Sequence, residues 1–314
     1  VERRQTLPIL SNVLMSLESN RLSLTGTDLE VELVGRIDVQ SEGADGDITV
    51  PARKLVDICK SLPDGVDISF NVEDGKVTVR AGRSRFILST LPAAEFPTVE
   101  AGDGEIYLDL AQPLVRQMID RTGFAMAQQD VRYYLNGMYL EIKDGRLRFV
   151  ATDGHRLALC TAPGQIAADD KSVIVPRKGI LELSRLLDGD GSVTLCVGSN
   201  HIRAATDQFT FTSKLVDGKF PEYERVLPRS PDKSVSGDRS ELRQAFTRTA
   251  ILSNEKYRGV RLSLTPGSLE ITANNPEQEQ AEESVPVDYA GDALEVGFNV
   301  SYLLDVMGVL TGAT

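Results

Sequence analysis

The sequence predicts an α+β protein built from three copies of one structural unit. Three segments align without gaps, and each alternates apolar and polar residues before ending in small polar turn formers: RLSLTGTD (21–28), RLRFVATD (146–153) and SLEITANN (268–275). Alternation with a period of two is typical of a half-buried strand that runs into a turn. The copies follow one another at about 120–125 residues, the spacing of a domain-sized repeat.

Predicted helices accompany the repeated strand in every copy. A short strand enters an amphipathic helix in VPARKLVDI (50–58), in VPRKGILEL (175–183) and, more weakly, in FNVSYLLDV (298–306). Segments 114–126 and 242–252 carry apolar residues three and four positions apart, which predicts helices that precede the repeated strand. The unit is therefore predicted to run helix, strands, helix, strands.

The repeat predicts three domains, at residues 1–105, 106–233 and 234–314. Compared with the middle copy, the first copy lacks its leading helix and the third lacks its last strands. The repeat period therefore predicts about 20 further residues before Val1 and about 45–50 after Thr314.

Composition excludes several classes of protein. The 314 residues are 41% hydrophobic and 25% charged, which excludes a disordered or collagen-like chain. No apolar run approaches the ~20 residues of a membrane-spanning helix, so no membrane partner is expected. The three widely spaced cysteines form neither a disulfide framework nor a metal cluster, and a cytoplasmic location is expected.

Charge is distributed unevenly along the chain. The net charge of −12 taken alone argues against a nucleic-acid binder, yet the candidate helices together carry more basic than acidic residues. One interpretation is that these helices simply expose solvated Lys and Arg. The other is a basic helical surface that attracts phosphates without reading bases, with an acidic remainder elsewhere.

Several segments carry a family resemblance along the whole chain. They are TLPILSN (6–12), LTGTDLE (24–30), QDVRYYLNGM (129–138), VATDGHRLAL (150–159), VPRKG (175–179), SKLVDGKFPEYERVLP (213–228), ILSNEKYRGVRL (251–262) and ITANNPEQEQAEE (271–283). In this order and spacing they resemble the β subunits of bacterial DNA polymerase III, the β sliding clamps. The resemblance implies three DNA-clamp domains, each with two helices on two small antiparallel sheets, in a ring-forming head-to-tail dimer. It implies a non-catalytic processivity factor of the polymerase holoenzyme.

The resemblance implies that duplex DNA passes through the ring, with helices lining the hole. Sequence-independent contacts with duplex and primed single-stranded template are then expected from long basic side chains and from tyrosines that stack on bases. The residues are Arg4, Arg53, Lys60, Gln129, Tyr133, Tyr134, Arg177 and Lys178. The alternative for the two tyrosines is ordinary strand packing, in which alternation would bury Tyr134 rather than Tyr133.

The resemblance also implies a pocket for short clamp-binding peptides, between the second and third domains. The expected partners are the polymerase α subunit, the clamp loader δ subunit and other replication and repair polymerases. The residues carried over by motif are Leu135, Thr152, Gly154, His155, Arg156, Leu157, Pro221, Arg225 and Val226.

Ring closure is expected to join the first domain of one copy to the third domain of another. The matching residues are Lys54, Phe86, Leu88, Ile251 and Leu252. Apolar residues rimmed by charge form a reasonable interface core. The alternative is that the four apolar residues belong only to the cores of their own domains.

Two other classes of function remain as hypotheses. An enzyme could use Asp153, His155 and Cys160, although their spacing fits no catalytic signature and the same turn recurs without His or Cys. A purely structural repeat protein would not need basic helices. No glycine-rich phosphate loop or Cys/His cluster is present, so no cofactor and no metal are expected.

Overall fold

The computed structural model describes residues 7–41, 43–99, 106–229 and 231–314. Within them the chain forms nineteen strands and five α-helices. The three copies recur in the predicted order, and the helix–strand alternation gives an α+β fold as expected.

The first copy contains one helix and two groups of strands. Its elements are β1 (Asn12–Glu18), β2 (Arg21–Thr27), β3 (Val31–Asp38), β4 (Gly46–Pro51), α1 (Ala52–Ser61), β5 (Ile68–Glu73), β6 (Lys76–Ala81) and β7 (Ser84–Ser89). The two-residue turn between β1 and β2 places Ser19 and Asn20 at positive φ, the geometry of a tight hairpin.

The second copy adds the leading helix. Its elements are β8 (Ile106–Ala111), α2 (Gln112–Thr122), β9 (Gly137–Lys143), β10 (Arg146–Thr152), β11 (Leu157–Thr161), β12 (Lys171–Pro176), α3 (Arg177–Leu186), β13 (Ser192–Val197), β14 (His201–Ala205) and β15 (Phe209–Lys214). Proline fixes the entry to two equivalent helices, because Pro51 and Pro176 are the residues before α1 and α3.

The third copy repeats the order of the second from its leading helix to its second helix. Its elements are α4 (Arg239–Ala250), β16 (Gly259–Thr265), β17 (Ser268–Asn274), β18 (Gln280–Pro286), β19 (Leu294–Asn299) and α5 (Val300–Val309). Helix α4 is capped by Asp238, which accepts from the Glu241 amide, and α5 by Asn299, which accepts from the Ser301 amide.

Strands of the first two copies join into one sheet. The order is β4-β1-β2-β3-β15-β14-β13-β8, and β3 pairs antiparallel with β15 from Phe209 opposite Gly35 to Ser213 opposite Val31. The other sheets have the orders β11-β10-β9-β12, β18-β17-β16-β19 and β5-β6-β7. The β3–β15 pairing is therefore a continuous backbone joint between copies one and two.

The chain divides into two compact units. One contains residues 1–153 and 159–219, and the other contains residues 154–158 and 220–314. In the first unit, Met15, Val50, Leu55, Val77 and Val79 belong to the apolar core of copy one. In the second unit, helix α4 and the β16–β18 strands enclose a separate core that includes Phe246 and Ile271. None of the helices in the described ranges is sufficiently long and apolar to cross a membrane.

Candidate nucleic-acid and partner-binding sites

Helix α1 presents the basic residues that the sequence predicted for DNA contact. Ala52 and Leu55 are buried, and this orientation leaves Arg53, Lys54 and Lys60 exposed. These three side chains form no ion pair with any residue in the described part of the chain. Lys54 was predicted for the dimer interface. Arg4, the third basic residue of copy one predicted for DNA contact, lies outside the described residues.

The start of helix α3 holds two further predicted residues in different environments. Arg177 is half-buried, and its guanidinium donates to the Met126 carbonyl oxygen at 3.2 Å. Lys178 is exposed, and its ammonium forms an ion pair with the carboxylate of Asp28 from copy one. The two neighbouring cations are therefore held by different contacts.

The loop before β9 is closed by one side chain. The Asn136 amide oxygen accepts from the Asp130 backbone N–H at 2.9 Å, and its amide nitrogen donates to the Asp130 carbonyl oxygen at 2.8 Å. Arg132 binds the Asp130 carboxylate at 2.8 Å, which raises the pKa of the guanidinium. Gln129, exposed at the start of this loop, has a φ of 55°, a conformation that non-glycine residues adopt uncommonly.

The tyrosine pair lies in this loop and not in a strand. Tyr133–Leu135 is a 3₁₀ turn, so strand alternation is the wrong reason for separating Tyr133 from Tyr134. Tyr133 is 57% exposed and Tyr134 is partly buried, and their rings meet edge to face with centroids 5.9 Å apart. Tyr133 is therefore the more exposed of the two rings, the outcome that alternation had also given.

In the second unit, residues 154–158 are held by helix α5. Arg156 lies 2.5 Å from the Asp305 carboxylate, and its guanidinium stacks over the Tyr302 ring at 4.4 Å from the centroid. Of the neighbouring predicted pocket residues, Gly154 and His155 are exposed and Leu157 is partly buried. The sequence prediction missed Tyr302 and Asp305, although their i, i+3 spacing on an amphipathic helix was visible.

A second predicted segment of this unit is exposed and anchored at one point. Residues Tyr223–Arg225 form a 3₁₀ turn whose Tyr223 ring is buried. Around it Pro221 and Arg225 are exposed, and Val226 is 69% exposed. Arg225 pairs with Glu222 at 2.5 Å. Val226 is therefore an exposed apolar side chain directly after a 3₁₀ turn with a buried aromatic ring.

The remaining predicted pocket residues belong to the other unit. Leu135 is only 2% exposed and packs in that unit's interior, and Thr152 is partly buried at the end of β10. The sequence predicted Leu135 as a pocket residue without indicating this degree of burial.

The predicted dimer residues divide into buried and exposed members. Leu88 is 7% exposed and belongs to the core of copy one, and Phe86 packs against that core. In a single chain both residues are therefore core residues, which is the alternative to an interface role. Ile251 is 75% exposed and Leu252 partly buried, directly after α4. The Ile251 side chain is therefore apolar and largely exposed to solvent.

A groove in the third copy was not anticipated from the sequence. It has a volume of about 640 Å³ and includes Asn254, Tyr257, Phe298 and Asn299 in its lining. Tyr257 is 67% exposed and Phe298 43% exposed. The sequence signal that could have indicated this groove is Tyr257, an aromatic residue in the polar turn that follows helix α4.

Residues that could perform metal chemistry do not cluster in the described ranges. No group of three or more His, Cys, Asp or Glu side chains there is placed to hold a metal ion. Cys59, Cys160 and Cys196 lie at separate places and form no disulfide within the described residues.

Three repeated α+β domains with basic helices define the class of DNA-encircling clamps. Models of the DNA polymerase III beta subunit match the chain in three parts: the N-terminal domain at residues 1–100, the central domain at 109–222 and the C-terminal domain at 224–314. The chain is 67% identical to the beta sliding clamp of Pseudomonas aeruginosa over 312 residues, covering 99% of this chain and 85% of that protein. It is 54% identical to the Escherichia coli K12 beta sliding clamp over 308 residues, covering 98% and 84%.

Solved structures agree with the sequence comparison. A crystal structure of the Pseudomonas aeruginosa beta subunit has a TM-score of 0.96 and 66% identity, covering 100% of this chain and 86% of that one. Another structure of the clamp from that organism, bound to griselimycin, has a TM-score of 0.96. The match covers 100% of this chain and 85% of that one. The chain belongs to the family of DNA polymerase III beta subunits. It functions as a DNA sliding clamp, a non-catalytic processivity factor that binds DNA and polymerase partners.

Proposed function

We propose that two copies of the chain close a ring around duplex DNA. The observation that carries this is the β3–β15 joint. By position in the repeat, β18 of copy three corresponds to β3, and β7 of copy one corresponds to β15. Both β18 and β7 stand at the edge of their sheets in the described chain. Edge strands of this kind pair readily with another chain, so β7 of one copy extends the sheet of β18 of the other.

Charge on these edges supports the pairing. Arg83 and Arg85 are exposed at the β7 hairpin. Glu282 is exposed on β18, where its hydrogen bond and negative charge raise the pKa of nearby Glu270. Opposite charges on two edges direct their association and fix their register. Lys54, Phe86, Leu88, Ile251 and Leu252 form the remaining interface in this proposal.

Inside the ring, long basic side chains contact phosphates without reading bases. Arg53 and Lys60 on α1 and Arg177 on α3 serve this role, with Arg4 assigned by resemblance. Gln129 and Tyr133 contact the template, and the partly buried Tyr134 supports the Tyr133 ring. Such contacts exchange quickly, because each phosphate interaction is weak and sensitive to salt. Lys178 is not assigned to this group because its ammonium already has a carboxylate partner.

Partner proteins dock through short peptides on the second unit. The proposed surface is formed by Gly154, His155, Leu157, Pro221 and Val226, together with Arg156 and Arg225, whose charges are paired with Asp305 and Glu222. Thr152 and the buried Leu135 remain predictions from the resemblance. The polymerase α subunit, the clamp loader δ subunit and other polymerases are the proposed partners. We place this activity in the bacterial cytoplasm, at the nucleoid.

Two measurements on the purified protein test this proposal. Native mass spectrometry should give a dimer, and a monomer at working concentration would contradict ring closure. Titration with an apolar-ended clamp-binding peptide should give saturable binding that Val226→Asp weakens about tenfold, equivalent to about 1.4 kcal/mol. Val235→Asp is the matched control, because Val235 is 47% exposed in the same unit and outside the proposed surface. Equal loss in both variants would contradict the assignment.

A further inference from the structure

Two ion pairs cross the joint between copies one and two. Lys178 on α3 pairs with Asp28 in the turn before β3, and the Lys214 ammonium on β15 lies 3.7 Å from the Glu30 carboxylate. The two carboxylates come from copy one and the two ammonium groups from copy two. The joint is therefore held by charge as well as by the β3–β15 backbone pairing.

Hydrogen bonds that do not involve Lys178 orient the Asp28 carboxylate. Its side chain is 9% exposed, and one carboxylate oxygen accepts from the backbone N–H groups of Glu30 at 3.0 Å and Val31 at 2.9 Å. The other oxygen is the one that binds Lys178. A carboxylate removed from water this far requires hydrogen bonds and a positive partner. Lys178 supplies the positive charge.

Helix α3 is held where Lys178 can reach this carboxylate. The next residue, Gly179, is buried, and a Cβ at that position would collide with the Ser213 side chain on β15. Only glycine permits this close approach between helix and strand. Since β15 is the strand that pairs with β3, the start of α3 is positioned on the joint itself.

We propose that Lys178 is a positioning residue of this joint, and not a phosphate ligand. Its ammonium neutralises the buried Asp28 carboxylate and thereby fixes the angle at which helix α3 is presented by copy two. A DNA phosphate that took over Lys178 would leave Asp28 buried without that cation. The adjacent Arg177 binds only a backbone carbonyl oxygen in the described contacts. Its positive charge is therefore available to a DNA phosphate.

The DNA measurement compares four variants of the whole protein: Lys178→Gln, Asp28→Asn, their combination, and Arg53→Gln as the matched control. Loss of one phosphate contact reduces the slope of log affinity against log salt by about one. We expect this reduction for Arg53→Gln and no change for Lys178→Gln. A reduction of about one in Lys178→Gln, or an increased slope in Asp28→Asn, would overturn the proposal.

Thermal unfolding tests the joint without DNA. We expect Lys178→Gln and Asp28→Asn each to lower the midpoint by about 2–4 °C, and the double variant to lose no more than the worse single variant. Arg53→Gln should leave the midpoint unchanged. Additive losses, or no loss in Lys178→Gln, would overturn the proposal. If Arg53→Gln leaves DNA binding unaffected, the proposed DNA-contact surface is wrong. The thermal unfolding measurement still tests the role of the Lys178–Asp28 pair in that case.

Discussion

Arg156 is bound from two sides by helix α5, since its guanidinium lies 2.5 Å from the Asp305 carboxylate and 4.4 Å from the centre of the Tyr302 ring. The charge of Arg156 is thus already compensated within the second unit. In the proposed peptide site, its role is then to hold residues 154–158 in place rather than to attract an acidic partner. The neighbouring His155 and Leu157 are positioned by the same contacts.

Asp305→Asn should therefore weaken peptide binding even though Asp305 is assigned no contact with the peptide. The loss of one partly exposed ion pair is worth about 1 kcal/mol or less, so we expect up to about fivefold weaker binding. Fluorescence anisotropy with a labelled clamp-binding peptide measures it. Glu182→Gln is the control, because it removes a comparable but exposed pair with Arg185 on α3. Tighter peptide binding by Asp305→Asn would contradict the positioning role.

Asn136→Ala should destabilise the loop that carries the tyrosine pair. The variant removes two hydrogen bonds to the Asp130 backbone in a partly buried place, at a cost of about 1–3 kcal/mol. Chemical denaturation measures the change in the free energy of unfolding. Asn71→Ala is the control, since that amide bonds only the exposed Glu73 carboxylate in the described contacts. Equal stability of the two variants would show that Asn136 does not close the loop.

Glu32 predicts a pH dependence at the joint between copies one and two. Burial raises the pKa of this carboxyl above its usual 4.5, opposed by the Val99 backbone N–H and by Arg203. The folded protein consequently binds this proton more tightly than the unfolded chain does. The contribution of Glu32 to stability is full below pH 4.5 and falls as the pH rises through the raised pKa.

Glu32→Gln removes this titration while keeping an acceptor for the Val99 N–H. We expect the variant to be more stable than the parent at pH 7–8, and the difference to shrink as the pH falls towards 4.5. Unfolding curves at a series of pH values measure it. A difference that does not vary with pH, or a less stable variant at pH 8, would contradict the stated cause.

Ile251→Asp should separate the proposed dimer. A carboxylate in place of a side chain that is 75% exposed costs the isolated chain little, but it would be buried without a partner in the interface. Sedimentation should show a shift from dimer to monomer with an unchanged unfolding midpoint. Ile37→Asp, at a 53% exposed position on β3, should remain dimeric. Dimers in both variants would remove Ile251 from the interface.

The strands and helices were largely predictable because each follows from the spacing of apolar and polar residues within its own segment. The three repeated strands were expected at 21–28, 146–153 and 268–275, and they are β2, β10 and β17 within one residue. Helices α1 and α3 begin directly after Pro51 and Pro176, where period-two alternation gives way to helical spacing. Both signals lie within a few residues of the element they predict.

Contacts between distant parts of the chain were not predictable in the same way. Nothing near Lys178 in the sequence indicates Asp28, and nothing near Arg156 indicates Asp305. Each pair joins a loop residue of one copy to a helix of the next copy, and this contact depends on tertiary packing. The tyrosine pair shows a related limit, because the Asn136 side chain stabilises a 3₁₀ turn where alternation suggested a strand.

Topological linkage to DNA is the central claim, and a retention assay tests it most directly. The protein is loaded on nicked circular DNA, separated from free protein by gel filtration, and followed before and after a single cut linearises the circle. A ring that encircles DNA should stay with the circle and leave the linear form by sliding off its ends. Retention that is the same on circular and linear DNA would show binding by surface contact alone and would contradict the account.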